Sequence, residues 1–155
     1  MKNKIFNTHK DWTGLVMRLT IGLIIFPHGA QKMLGWFQGP GFSKEMEHLT
    51  VHMHLPWLIS ISVILIEFFG AISLIIGFAS RVWAIIFGIL FTGIIFTAHL
   101  EYGFFMNWFG NQKGEGYEYH LLVIGLCIAL LLNGSGKYSA DQLIQKKTNQ
   151  YYMNF

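Results

Sequence analysis

Three stretches of this chain are apolar for too long to suit a water-soluble domain. Residues 15–34, 55–79 and 82–100 carry almost no charge, and a helix needs about 20 mostly apolar residues to cross the hydrocarbon core of a bilayer. A fourth stretch, 119–133, is shorter, and its apolar part, 121–132, is uninterrupted. A bundle accommodates such a short span by local thinning of the bilayer. Backbone groups in lipid must satisfy one another, which a closed helix achieves within a single segment. The chain is therefore predicted to be all-α, an integral membrane four-helix bundle. It reads as one domain, residues 1–143, followed by a polar and aromatic tail, 144–155.

Composition agrees. Charged residues make up 12% of the chain and apolar ones 53%, whereas soluble domains carry about a quarter charged residues. Four spans leave no room for a soluble catalytic module. Lys2, Lys4 and Lys10 precede the first apolar run in the manner of a signal peptide. That run is too long for one, contains Arg18 and lacks a small-residue cleavage site, so it is expected to remain as a span. Cys127 is the one cysteine, so no internal disulfide or CxxC pair can form. Electrons, if any are handled, come through a bound cofactor, a quinone or a partner.

Basic residues in short loops set orientation. Lys2, Lys4, Lys10, Arg81, Lys137, Lys146 and Lys147 lie on the side of the termini, against Lys32, Lys44 and Lys113 on the other. Both termini are thus predicted to be cytoplasmic. The sequence pI of about 9.0 then reflects topology, and nothing points to nucleic acid. The bilayer is the evident partner, with other membrane-complex subunits or further copies of the chain expected beside it.

The outer loops are aromatic-rich. Gly35-Trp36-Phe37-Gln38-Gly39-Pro40-Gly41-Phe42 must bend sharply while its rings suit the headgroup level. Ser43 is expected to cap a short helix carrying Glu45 and Glu47. Residues 101–118 repeat the style with Tyr102, Phe104, Phe105, Trp108 and Phe109, and both loops are expected to fold over the bundle as a lid.

Ionisable groups inside the spans are the functional signal, because each is costly in hydrocarbon unless paired or employed. Glu67 is the one charge within residues 55–79. Arg18, His28 and Lys32 fall within about an 80° arc of the first helix. Ser60, Glu67, Gly70 and Gly77 form one stripe on the second, and Ala84, Gly88 and Thr92 a small-residue line on the third. All three stripes are expected to face the interior. Depth suggests an Arg18–Glu67 ion pair in the interior. Above it is expected a ligand-binding pocket of His28, Lys32, His99 and a carboxylate from Glu101 or Glu118, with His120 at the same level. Plainer readings exist for each: a structural ion pair, hydrogen-bonded histidines, a lysine reaching for headgroups, and a membrane belt of aromatics.

Other patterns are weaker. Gly134-Ser135-Gly136-Lys137 lacks the first glycine of a phosphate loop, since position 131 is Leu131, and no strand precedes it. Asn133-Gly134-Ser135 matches a glycosylation sequon on the predicted cytoplasmic side. His48 and His52 share a helix face at a spacing compatible with zinc or copper, with His54 nearby. Met33, Met46, Met53 and Met106 are on the same side. No third ligand is fixed.

Arg18-Leu19-x-x-Gly22, Pro27-His28-Gly29-x-Gln31-Lys32 and Gly35-Trp36-Phe37-x-Gly39-Pro40-Gly41 together resemble the first-helix signature of the DoxX family. Glu67-Phe68-x-Gly70 with Gly77-x-x-x-Arg81 resembles its second-helix pattern. Glu118-Tyr119 and Gly134-x-Gly136-Lys137-Tyr138-Ser139-x-Asp141 resemble its ending. The resemblance implies a small four-helix protein of the bacterial inner membrane. The family is named for similarity to a subunit of an archaeal thiosulfate:quinone oxidoreductase. Some members are linked to redox or thiol-stress complexes, and eukaryotic membrane chaperones and cargo receptors are distantly similar. Arg18, His28, Lys32, Glu67 and Glu118 match family positions, whereas the histidines at 48, 52 and 54 do not.

Three functions are expected on these grounds. In the first, a redox-associated subunit holds a quinone headgroup or a small sulfur species near the outer face. A quinone carbonyl needs donors such as His28 or Lys32 between an apolar tail channel and the interface. The second is a non-catalytic accessory or assembly subunit, and the third a small transporter using Glu67 as its proton site. No self-contained catalytic motif is present, and no cofactor is fixed by one.

Overall fold

The computed structural model describes residues 4–153; Lys2 of the charge count and residues 154–155 of the tail lie outside them. Helix α1, Trp12–Leu34, starts where the Asp11 carboxylate accepts the Gly14 N–H at 3.1 Å, and it runs through Pro27. It stops at Gly35, whose φ of 72° suits a residue without a Cβ. Helix α2, Gly41–Glu47, follows Pro40 and is prolonged by a π turn, His48–His52. Ser43 therefore lies within the first turn rather than capping it. The proline immediately ahead sets the entry instead, because its fixed φ is already helical.

Helix α3, Trp57–Ile76, follows Pro56 and contains a π turn at Ile66–Gly70. It ends on the left-handed Gly77. Helix α4, Ser80–Tyr102, has a third π turn at Ile95–His99 and a tight last turn from Leu100. Helices α5, Glu118–Asn133, and α6, Ala140–Met153, complete the chain. There is no strand among the described residues. Helices α1, α3 and α4 are long and apolar enough to cross a membrane, and α5 is a shorter apolar helix.

The core lies where these four helices meet. Met17, Ile21 and Ile25 of α1 pack with Ala71 and Leu74 of α3, Phe87 and Phe91 of α4, and Val123, Cys127 and Leu130 of α5. Met46 and Leu49 form a second cluster with Val63 and Ile64, which seats α2 on α3. The outer surface is apolar too. Leu58, Ile89, Phe96, Leu122 and Leu132 are each about 70% exposed, which suits a bilayer as the surrounding solvent.

Of the expected inward stripes, Ser60, Glu67, Gly70 and Gly77 are all buried. The α4 line departs from expectation. Ala84 is buried, but a Cβ at Gly88 would meet nothing within 4 Å, and Thr92 is exposed. Gly88 and Thr92 thus border a groove between α4 and α5 rather than the buried interior.

Candidate functional site: an ionisable cavity at the loop end

The two ends of the bundle handle their charges differently. At the end nearer the termini, Arg18 is 2% exposed, and its guanidinium meets only backbone carbonyls. Nε–H donates to Ser135 O at 3.0 Å. One terminal nitrogen serves Leu74 O at 3.1 Å and also Ile75 O. The other serves Lys137 O at 3.2 Å and Tyr138 O at 3.0 Å. A guanidinium has five N–H donors, so each has an acceptor. Leu74 and Ile75 lie in the last turn of α3, where carbonyls lack helical partners and the helix dipole favours a cation.

The Asp141 carboxylate secures the same end by accepting from Ala79 N, Ser80 N and Ser135 Oγ. Gly14 allows the 134–136 segment to cross directly beneath α1, since a Cβ there would collide with Gly134 and Gly136 backbone. The family-like ending from Gly134 to Asp141 is thus a clasp.

The expected Arg18–Glu67 pair is corrected by this geometry. Glu67 is paired with Lys32, whose Nζ stands 2.7 Å from Glu67 Oε1. Gly29 explains why. A Cβ at that position would lie 2.6 Å from the Glu67 carbonyl carbon and the Phe68 nitrogen, so α1 and the π turn of α3 touch backbone to backbone. Lys32 is one turn above this contact, while Arg18 is eleven residues, roughly 16 Å, below it. Lys32 Nζ is also 4.0 Å from Glu45, which α2 brings in from the loop end.

Around this pair lies a cavity of about 390 Å³, within the range typical of small-molecule sites. His28 and Lys32 contribute from α1, Glu67 from α3, His99 from α4, and Tyr119 and His120 from α5. Met106 and Glu115 reach it from the 103–117 loop, and Ile25, Phe91 and Ile94 supply apolar wall. Glu67 and His99 both occupy π turns, a distortion that recurs at functional positions. The His99 and His120 rings are 4.3 Å apart, and His99 Nδ1 lies 2.7 Å from Glu115 O. Glu67 Oε2, Tyr119 OH and His120 Nδ1 are buried without a hydrogen-bond partner, although buried polar atoms are normally satisfied.

The structure thus brings His28, Lys32 and His99 to one cavity and puts neither expected outer carboxylate in it. Glu101 is exposed and lines a surface cleft that shares His99. Glu118 anchors the loop: its Oε1 accepts Met106 N–H at 3.0 Å and Trp108 Nε1–H at 3.3 Å. The first helical turn of α5 turns Glu118 toward the loop and Tyr119 and His120 toward the cavity. The carboxylates of the cavity are instead Glu67 and Glu115. Sequence reasoning does not place Glu115, Tyr119 or Met106 in this pocket: Met106 stands out only beside the candidate metal histidines, and Tyr119 only within the Glu118-Tyr119 pair that resembles the family ending. The His48 and His52 rings are 5.7 Å apart. Among the described residues, no group of three or more His, Cys, Asp or Glu side chains could hold a metal.

Comparison with known proteins agrees with the fold. The DoxX family model matches residues 14–100, more than half of the chain. The Escherichia coli (strain K12) protein named "Inner membrane protein YqjF" is 30% identical over 113 residues, covering 73% of this chain and 82% of its own length. The Bacillus subtilis (strain 168) protein named "Putative oxidoreductase CatD" is 27% identical over 132 residues, covering 85% of this chain and 87% of its own. No solved structure matches. With its apolar helices and these relatives, the chain belongs to the DoxX family, as a multi-pass bacterial inner-membrane protein.

Proposed function

We propose that this protein is a redox-associated membrane subunit whose loop-end cavity receives a quinone headgroup. One observation carries the reading: three buried, unpartnered polar atoms, Glu67 Oε2, Tyr119 OH and His120 Nδ1, belong to residues of one cavity. An ionised carboxylate only accepts, a phenol donates or accepts, and an imidazole nitrogen does either according to tautomer. A quinone carbonyl would accept from Tyr119 or Lys32. The hydroxyls of the reduced form would donate to Glu67 or His120. The apolar wall of Ile25, Phe91 and Ile94 suits a flat ring.

A sulfur anion fits less well. The one lysine of the cavity is neutralised by Glu67 at 2.7 Å, and Glu115 adds a second negative charge. An anion would enter against that charge. The relative named as an oxidoreductase favours the redox reading at family level. Electrons would be exchanged with another subunit, and the exposed rings of Trp108 and Phe109 suit such a neighbour. The excess of basic residues beside the termini favours cytoplasmic termini, with the cavity toward the outer face.

Mass spectrometry of material purified in mild detergent tests the reading. Wild-type protein should retain near-stoichiometric quinone. Tyr119→Phe, which removes an unpartnered hydroxyl, should retain about tenfold less, the worth of one hydrogen bond, with unchanged thermal stability. Wild-type protein carrying no more quinone than an unrelated helical bundle would overturn it.

A further inference from the structure

Two apolar grooves run along the lipid-facing side of α4, and they relate differently to the cavity. The first, between α3 and α4, has a volume of about 420 Å³ and is walled by Ile59, Val63 and Ile66 on one side and Ile86, Leu90 and Ile94 on the other. Its two hydroxyls are turned back onto their own helices: Ser62 Oγ donates to Leu58 O at 2.6 Å, and Thr97 Oγ1 to Gly93 O at 3.0 Å. The groove therefore has no free hydroxyl donor for a polar guest. The second, between α4 and α5, has a volume of about 380 Å³ and is similarly apolar, with Gly88, Ile124 and Ile128 among its walls.

Only the first meets the ionisable cavity. Ile94 lines both. On α3, Ile66 faces the groove while its neighbour Glu67 faces the cavity, both inside the π turn. The α4/α5 groove shares no residue with the cavity.

We propose that the α3/α4 groove is the tail channel of this site, so that the ligand is an amphiphile: a polar ring in the cavity and a hydrocarbon tail that passes Ile94 into the groove. The inference rests on the headgroup reading above and assigns the ligand class and its exit. Lipid chains are as apolar as the groove, so the bilayer gives little driving force for lodging a tail there. The groove's role is routing: it lets the tail leave the bundle while the ring stays beside Lys32 and Glu67.

Glycine positions make this testable. Added Cβ atoms at Gly93, in the α3/α4 groove, and at Gly88, in the α4/α5 groove, would both meet nothing within 4 Å. Gly93→Leu thus adds bulk to the first groove and Gly88→Leu to the second, each from a position where the Cβ itself has open space. Ser62→Leu, at an exposed position on the opposite wall, fills the first groove from α3 and serves if Gly93→Leu fails to fold. Binding of a decyl-tailed benzoquinone and of its tail-less parent is measured on each protein in lipid nanodiscs. Gly93→Leu and Ser62→Leu should weaken the tailed quinone at least tenfold and leave the tail-less one unchanged; Gly88→Leu should alter neither. Unchanged tailed binding in both groove-filled variants, or an equal loss in Gly88→Leu, overturns the channel and leaves the headgroup reading intact. Failure of wild-type protein to bind either quinone overturns both.

Discussion

Lys32 Nζ lies 2.7 Å from Glu67 Oε1, and this pair joins α1 to α3 one turn above the Gly29 contact. Glu67 is 4% exposed, so removal of its partner leaves a carboxylate in a poor solvent for charge. Lys32→Met alone should therefore destabilise the bundle more than Lys32→Met with Glu67→Leu. Unfolding titrations of the two single variants and the double should give a coupling of roughly 1–3 kcal/mol. Additive losses would mean that the pair contributes no mutual stabilisation.

Gly29 should tolerate no side chain. An alanine Cβ would press against the Glu67–Phe68 backbone at 2.6 Å, and relief requires moving one helix from the other. Gly29→Ala is expected to cost about 1–3 kcal/mol. Gly125→Ala, at an exposed site where a Cβ meets nothing within 4 Å, should be neutral or slightly stabilising. Thermal midpoints of the two variants compare a tight helix contact with an open surface.

Arg18→Lys should behave as a severe change. An ammonium carries three donors in place of five, so at least two of the carbonyls at Leu74, Ile75, Ser135, Lys137 and Tyr138 would lose their partner. Each buried unmet group costs about 1–3 kcal/mol. The yield of monodisperse protein from membranes should fall sharply, and a near-normal yield would refute the five-carbonyl account.

Asp11 gives a pH signature outside the spans. The Gly14 N–H, and then the Asn133 amide at 3.0 Å, hold its carboxyl below the usual carboxylate value. Because the folded value is the lower one, the ionised cap stabilises above the ordinary carboxyl range. The contribution is lost as pH falls through Asp11's own depressed value. At neutral pH, Asp11→Ala should cost about 1 kcal/mol. The gap between variant and wild type should close on acidification through that window.

The spans were legible because unbroken apolar runs leave few alternatives, and the inward stripe of Ser60, Glu67, Gly70 and Gly77 came from regular helical spacing. Pairing was not legible. Depth along ideal helices put Arg18 and Glu67 together, but it could not register the demand of the α3 carbonyls for a cation or the Gly29 contact that brings Lys32 to Glu67. The π turns at Glu67 and His99 are also invisible to a fixed period, since each inserts a residue that rotates the remainder of its helix. At the mouth of the cavity, sequence order gave the level of Glu101, Glu115 and Glu118 but not their direction, which depends on how the 103–117 loop closes on itself through Glu118 N–H and Phe104 O at 2.9 Å.

The Arg18 clasp imposes an order on biosynthesis. Three of its five acceptors, Ser135, Lys137 and Tyr138, lie 117 to 120 positions further along the chain, beyond every apolar helix. While the ribosome is still making α5, the guanidinium has already entered the membrane region with α1 and can reach only the carbonyls of α3. The helices can insert one after another, yet their ends are joined only when the last short segment arrives. A chain released after Asn133 would carry all four apolar helices but none of the segment that latches their ends.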